Sequence, residues 1–363
     1  MRKSILRQSL TAITTVLYSL PFLLYMSFLF ALDIRITAFI YIILTFLSFL
    51  LKTAVITSQV FALLPILYIF TQHGSFLGLI SILIGTMAFF ILYNLPINKY
   101  INAYIAAGVT LMLAFCATAL FTTDYFGIGA TGSTVFEILR SYRYLGFHAN
   151  WRGVLYGTIT LVIMITYPRA FKTLKSRLPA PAVALGIPYI LNLFLNPNSA
   201  TTYINEPVTI YNGLPSFSPS SAAGILYAFL GGLAFAVLLQ IYKDKDSGLF
   251  YGAPKLHAIS YEKKDFNLYS VCLYAFLMLA AVFLLKPVFT RIPVHSLAVV
   301  PIVAAWQSVE WKNIGKAFIH GFIPWLLVVS TFGLILIFNA VFSILLAFLL
   351  SVFYSEVLVW QKK

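Results

Sequence analysis

Residues 168–191 read PRAFKTLKSRLPAPAVALGIPYIL. Arg169, Lys172, Lys175 and Arg177 crowd a short connection between two apolar runs, 151–167 and 181–195. Cations gathered between apolar segments mark a cytoplasmic loop joining two membrane spans, because Lys and Arg are retained on that side. The same alternation extends in both directions. Of 363 residues, 61% are hydrophobic and 9% are charged, and the mean hydropathy is +0.93. A soluble domain carries about 25% charged residues. A chain this poor in them cannot cover a globule with polar surface. Composition therefore excludes a soluble enzyme, a nucleic-acid-binding domain and a disulfide-stapled secreted module. The net charge of +14 follows from loop asymmetry, so the expected partner is the lipid bilayer, with no nucleic acid.

Twelve apolar runs stand out: 10–32, 36–51, 54–70, 75–93, 101–121, 151–167, 181–195, 222–242, 268–287, 294–306, 322–338 and 340–354. A helix crosses the hydrocarbon core with about 20 residues. Shorter or Pro-broken segments need other protein or a cavity to cover their open backbone. With the N-terminus in the cytoplasm, eighteen of the 24 Lys and Arg fall on the cytoplasmic side and six on the other. That asymmetry predicts about twelve crossings with both termini cytoplasmic. Met1-Arg2-Lys3 leads into an uncleaved first span. We expect a single transmembrane domain over 1–363, with no soluble domain. Its polar connections are 122–150, 196–221 and 243–267, the last read as a cytoplasmic loop.

Ionisable groups at membrane depth are costly and mark function. All ten acids lie outside the apolar runs or at their edges. His73, His148, His257 and His320 fall outside the runs, and His295 opens a short one. The default for each is a solvated loop or interface position. Cys116 and Cys272 sit in apolar runs and are expected to be small buried apolar side chains. No catalytic motif and no metal spacing is present, so neither catalytic nor metal residues are assigned and no cofactor is expected. Aromatic residues, 17% of the chain, read as packing and interface belts.

What remains is backbone chemistry. A helix that begins inside the membrane offers free N–H groups and a positive dipole end, which bind anions without a charged side chain. Residues 52–70, KTAVITSQVFALLPILYIF, fit such a start. β-branched Thr53, Val55, Ile56 and Thr57 favour an extended lead-in. Ser58 can cap a helix that begins near Gln59 and Val60. The alternative is an ordinary span whose hydroxyls bond back to the helix. Pro21 interrupts the first span. Gly231 and Gly232 in the eighth allow either close helix packing or room for a ligand.

Six segments in chain order resemble the transport domain of the sulfate permease (SulP) and anion exchanger family. They are SLPFLLYMSFLFALDI from Ser19, the Ser58-Gln59 helix start, LPINKYINAYIAAGVTLML at 95–113, the 168–191 junction, NGLPSFSPSS at 212–221 and RIPVHSLAVVPIVAAWQSVEW at 291–311. The resemblance implies an all-α polytopic fold, a truncated seven-plus-seven inverted repeat with interleaved core and gate subdomains. The loop 243–267 takes the place of two family helices, and the family's STAS domain is not expected. The resemblance also implies an anion site between facing N-termini of two half-helices, and the short runs 54–70 and 294–306 fit that pattern. Phe22 and Phe235 stand where relatives carry Gln and Glu, so coupling through a buried carboxylate is not expected. The substrate-binding residues so implied are Pro21, Phe22 and Tyr25 in the first helix, Ser58, Gln59 and Val60 at the third, and Gly231, Gly232 and Phe235 in the eighth.

Three readings follow. The first is a SulP-like membrane transporter or channel for small inorganic or organic anions, not an enzyme, in a bacterial inner membrane. The second keeps the fold as a non-transporting scaffold with a membrane partner protein. The third is a membrane-embedded transferase, motivated by Asp124, Glu137, Arg140, Arg143 and His148 in one outer connection. Relatives of the fold often dimerise, so a homodimer is compatible with the first.

Overall fold

The structure is a computed structural model and describes residues 2–29, 33–50, 75–92, 100–127, 135–143, 151–170, 178–195, 222–243, 268–289 and 291–361. Its elements among these are helical. In chain order they are α1 (Arg2–Leu29), α2 (Ile34–Leu50), α3 (Ser75–Leu92), α4 (Ala103–Phe126), α5 (Val135–Ser141), α6 (Trp151–Ala170), α7 (Ala180–Leu195), α8 (Ala222–Lys243), α9 (Leu268–Leu284), α10 (Lys286–Phe289), α11 (Val294–Gln307), α12 (Trp311–Ile319), α13 (Phe322–Ile337) and α14 (Ala340–Gln361). The stretches 52–70 and 244–267, with Ser58, Gln59 and Val60, lie outside the described residues.

Local chemistry explains the helix ends. Asp33 caps α2 by accepting from the Arg35 N–H at 2.8 Å, and the Arg35 Nε–H donates to the same carboxylate at 3.0 Å. Asn102 caps α4, its side chain accepting from the Tyr104 N–H at 2.8 Å. Gly127 closes α4 in the left-handed region at φ 70°, a conformation that glycine adopts without a Cβ clash. Among the described residues four segments are long and apolar enough alone to cross a membrane: Gln8–Phe28, Ala103–Phe126, Trp151–Ala170 and Ala340–Val357. The shorter apolar helices, α11 and α13 among them, pack against neighbours that satisfy the demand for covered backbone.

The packing falls into linked groups. Helices α1, α2 and α9 pack together. Helix α4 is a hub that touches α6, α11, α13 and α14. Helix α3 packs along α8, and α14 joins α8 to α4. Helices α1 and α7 also meet α11. Outward faces are apolar, as lipid demands: Met87, Phe194, Phe276 and Phe353 are all exposed.

Several sequence boundaries are corrected. Helix α1 starts at Arg2 rather than at 10, and α14 runs to Gln361 rather than 354. The run 268–287 breaks at Leu285 into α9 and α10. The connection 122–150 contains the end of α4 and all of α5. Helix α4 continues past 121 because its polar residues bond within it: the Thr123 hydroxyl donates to the Leu120 carbonyl at 2.7 Å.

Candidate functional site

One group of buried polar residues lies at the end of the bundle where α1 and α4 finish and α6 and α11 begin; others, Gln240, Glu310 and Thr331 among them, are spread through the rest. Four elements contribute.

Helix α1 brings Phe22 and Tyr25, both fully enclosed. Tyr25 donates its phenolic hydrogen to Asp124 Oδ2 at 2.8 Å. Its ring meets Phe121 edge to face at 4.9 Å. The hydrogen bond ties α1 to the last turn of α4. Asp124 therefore belongs to a helix and to a side-chain pair, not to a solvated loop. Sequence reasoning placed it outside the spans because Thr122, Thr123 and Asp124 in succession read as a polar connection.

Helix α4 also brings Tyr125, whose hydroxyl lies 2.7 Å from the Thr158 hydroxyl of α6. Helix α6 brings two glycines at its start. Gly157 faces the Tyr125 ring and the His295 carbonyl, which a Cβ would meet at 2.6 Å and 3.1 Å. Gly153 faces the His295 ring, with Cε1 and Nε2 each 2.3 Å from where a Cβ would stand. Glycine is required at both positions by this close approach.

Helix α11 begins inside the protein. Ile292, Val294, His295, Ser296 and Leu297 are all buried. Pro293 occupies the N-cap position and no side chain caps the helix. The first bonds of the turn run from the Ser296 and Leu297 N–H groups to the Pro293 carbonyl, at 3.0 Å and 3.2 Å. The N–H groups of Val294 and His295 come before these and have no carbonyl of the helix to meet. His295 Nδ1 and Nε2 and Ser296 Oγ are buried without a hydrogen-bond partner. The expectation of a solvated or interface His295 is thus overturned: its exposure is 3%. Its sequence signal was the proline-led run that it opens.

The other site residues lie apart. Gly232 and Phe235 of α8 face α3: a Cβ on Gly85 would stand 2.4 Å from Phe235 Cδ1 and 2.8 Å from the Gly232 carbonyl. Gly231 is buried beside them in α8. Pro21, Phe22 and Tyr25 belong to α1, which shares no extensive packing with α8. Of the outer group named for a transferase, Glu137, Arg140 and Arg143 are exposed, Asp124 is turned to Tyr25, and His148 lies outside the described residues. Among the described residues no three His, Cys, Asp or Glu converge as metal ligands.

No protein-family model matches the chain, and no curated protein does. Among solved structures, the transmembrane domain of a cyanobacterial bicarbonate transporter, BicA, is similar. The match covers 93% of this chain and 97% of that one, with a TM-score of 0.63 and 16% sequence identity. At that identity the likeness establishes a shared fold. It is the all-helical SulP-like transporter fold that the six segments resemble.

Proposed function

We propose that this chain is a membrane transporter or channel for small inorganic or organic anions, working without a coupling carboxylate. The observation that carries the reading is the fold shared over nearly the whole chain with the membrane domain of a bicarbonate transporter. A fold does not determine a substrate, so the anion is left at the level of class. The chemistry of the described residues agrees with that class. A helix start enclosed in protein, uncapped and supplied with hydroxyl and imidazole groups, attracts negative charge through its dipole and free N–H groups. In this reading Pro21, Phe22 and Tyr25 shape one wall of the path. Ser58, Gln59 and Val60 supply a second helix start. Gly231, Gly232 and Phe235 set the spacing of the helix opposite. Both termini lie in the cytoplasm of a bacterial cell, and the chain sits in its inner membrane.

The test is flux in proteoliposomes made with the purified full chain. Sulfate, bicarbonate, chloride and a small dicarboxylate are offered in turn. At least one is expected to cross faster than in protein-free vesicles. Ser58→Leu, which removes the hydroxyl expected to cap that second helix start, is expected to lower that flux. If no anion moves and Ser58→Leu is inert, the reading fails. Thiol labelling of cysteines added at either end checks the orientation: both should be protected in sealed right-side-out vesicles.

A further inference from the structure

We infer that helix α12 is a docking surface for an acidic phospholipid of the cytoplasmic leaflet, with Lys312 and Lys316 at the phosphate and Trp311 and Phe318 along the acyl chains. The inference stands on the surface of α12 and not on which solute crosses the protein.

Helix α12 reads WKNIGKAFI, nine residues. At 1.5 Å per residue it is about 14 Å long, far short of a hydrocarbon core of about 30 Å. Its buried residues, Ile314 and Ala317, stand three apart on the side that packs on α4 and α13. The Glu310 N–H ahead of it reaches the Thr110 hydroxyl of α4 at 3.3 Å. After it, Gly321 at φ 112° turns the chain into α13. At 3.6 residues per turn, Lys312, Gly315, Lys316 and Ile319 share the opposite face, and Trp311 and Phe318 line one flank of it. All six are exposed. Cations outward and rings to one side are the pattern of a helix lying in a membrane interface. The aromatic flank continues beyond the helix: the rings of Phe318 and Phe322 lie 6.2 Å and 6.4 Å from that of Trp325.

The two lysines stand one turn apart, and among the described residues neither meets a carboxylate. Glu310, the acid nearest in sequence, is buried and accepts from the Asn313 amide at 2.6 Å. Two outward cations beside exposed rings complement a molecule with a negative head and apolar tails, and the bilayer supplies that molecule as an acidic phospholipid. Gly315 shows where the head would sit. Glycine inside a helix is unfavourable, and Gly85, Gly108, Gly153 and Gly232 are each explained by a neighbour less than 3 Å from where a Cβ would stand. A Cβ on Gly315 would meet nothing within 4 Å. Gly186 and Gly333 are open too, but their helices, α7 and α13, carry no cation. Gly315 lies three residues from both Lys312 and Phe318, between the charged face and the aromatic flank. Its missing side chain leaves a notch in which a phosphate approaches the backbone beside both lysines, while the chains follow the flank.

The purified full chain in detergent is titrated with phosphatidylglycerol and, separately, with phosphatidylcholine of the same acyl chains, and bound lipids are counted by native mass spectrometry. A lysine at a membrane surface favours an acidic lipid by about fivefold, so wild type should hold phosphatidylglycerol about 25-fold more tightly than phosphatidylcholine. The double variant Lys312→Gln/Lys316→Gln should bring the two lipids to within about twofold of each other. Arg140→Gln/Arg143→Gln, which removes two exposed cations elsewhere, should keep the preference. Gly315→Leu raises helix propensity but fills the notch, so it should weaken phosphatidylglycerol binding in protein as heat-stable as wild type. Glycerol 3-phosphate has the charge without the chains and should not displace the lipid at equal concentration. A wild type without preference overturns the inference, and so does a preference that survives loss of both lysines or falls equally with loss of Arg140 and Arg143. Unchanged binding by Gly315→Leu overturns it, as does displacement by glycerol 3-phosphate, which would make this a site for free phosphate. Flux is not read in this experiment, so a failed transport reading and a failed lipid site give different results.

Discussion

Adding one methyl group where α3 meets α8 is expected to separate two helices. A Cβ at Gly85 would lie 2.4 Å from Phe235 Cδ1, 2.8 Å from the Gly232 carbonyl oxygen and 2.9 Å from Phe235 Cβ. A Cβ at Gly232 would lie 2.6 Å and 2.7 Å from Ile84 Cγ2 and Cβ, and 3.1 Å from the Gly85 nitrogen. Ordinary carbon contacts sit at about 3.5–4.0 Å, so each substitution asks for roughly 1 Å of separation. The Phe235 ring can turn, but a main-chain carbonyl and a Cβ move only with their helix. Overpacking of this kind costs about 1–3 kcal/mol, and we expect Gly85→Ala and Gly232→Ala each to fall in that range. The two clashes face each other across one contact. Once the first methyl has parted the helices, the second finds space, so the double variant should lose less than the sum. Stability is read from the fraction of monodisperse protein left after graded heating in detergent, or from a denaturant titration. Strictly additive losses would refute the argument, as would two neutral variants. The same series separates packing from ligand binding at these glycines: a packing role lowers stability, whereas a ligand role lowers flux in protein that remains as stable as wild type.

Other expectations concern single contacts. Tyr25→Phe keeps the ring against Phe121 but removes the donor to Asp124, and should cost about 1.5–3 kcal/mol, the range for hydrogen bonds to charged groups; a loss of only a few tenths in denaturant titration would refute the bond. Ser351→Ala removes a hydroxyl that donates to the Tyr100 carbonyl and accepts from the Asn102 N–H at 2.7 Å, so a loss of about 1–3 kcal/mol is expected, with faster hydrogen exchange at the start of α4. Trp306→Phe removes the indole donor to the Thr118 hydroxyl at 2.7 Å and disturbs the stack on Trp311, whose centroid is 5.9 Å away; Trp311 fluorescence should shift. Thr45→Val should change stability by less than about 0.5 kcal/mol, because the Thr45 hydroxyl only bonds back to the Tyr41 carbonyl of its own helix.

The legible parts of the fold were those written in long-range hydropathy. The start of α11 was clear because Ile292-Pro293 breaks the chain before an apolar run, and α8 because its run is bounded by Ser and Lys. The end of α4 was not, because polarity was read as exposure. Thr122, Thr123 and Asp124 are polar, yet the hydroxyls bond back into the helix and the carboxylate meets Tyr25. Helix α12 escaped notice for the opposite reason. Ile314 and Ala317 are its buried face, and its remaining residues are too few and too charged to read as a span. In the candidate site, Phe22 and Tyr25 were read from the first-helix proline. The partners Asp124 and Gly153 were not, since which helices touch is a property of tertiary packing that no local pattern encodes.

The way this bundle disposes of hydroxyls gives the α11 start its meaning. Thr14 donates to the Leu10 carbonyl, Ser19 to Thr15, Thr110 to Ala107, Thr160 to Tyr156 and Thr331 to Leu327, each within its own helix. In an apolar surrounding this is the cheapest solution, because the acceptor is already present one turn away. Ser296, in the first turn of α11, makes no such bond, although the Pro293 carbonyl stands three residues before it. A side chain at that position in a soluble protein would turn to water. Here the turn is enclosed by α4, α6 and α1, so polarity at Ser296 and His295 has no internal use that a Val or Leu would not serve better. Residues that oppose stability without structural return are those that a binding function has to explain.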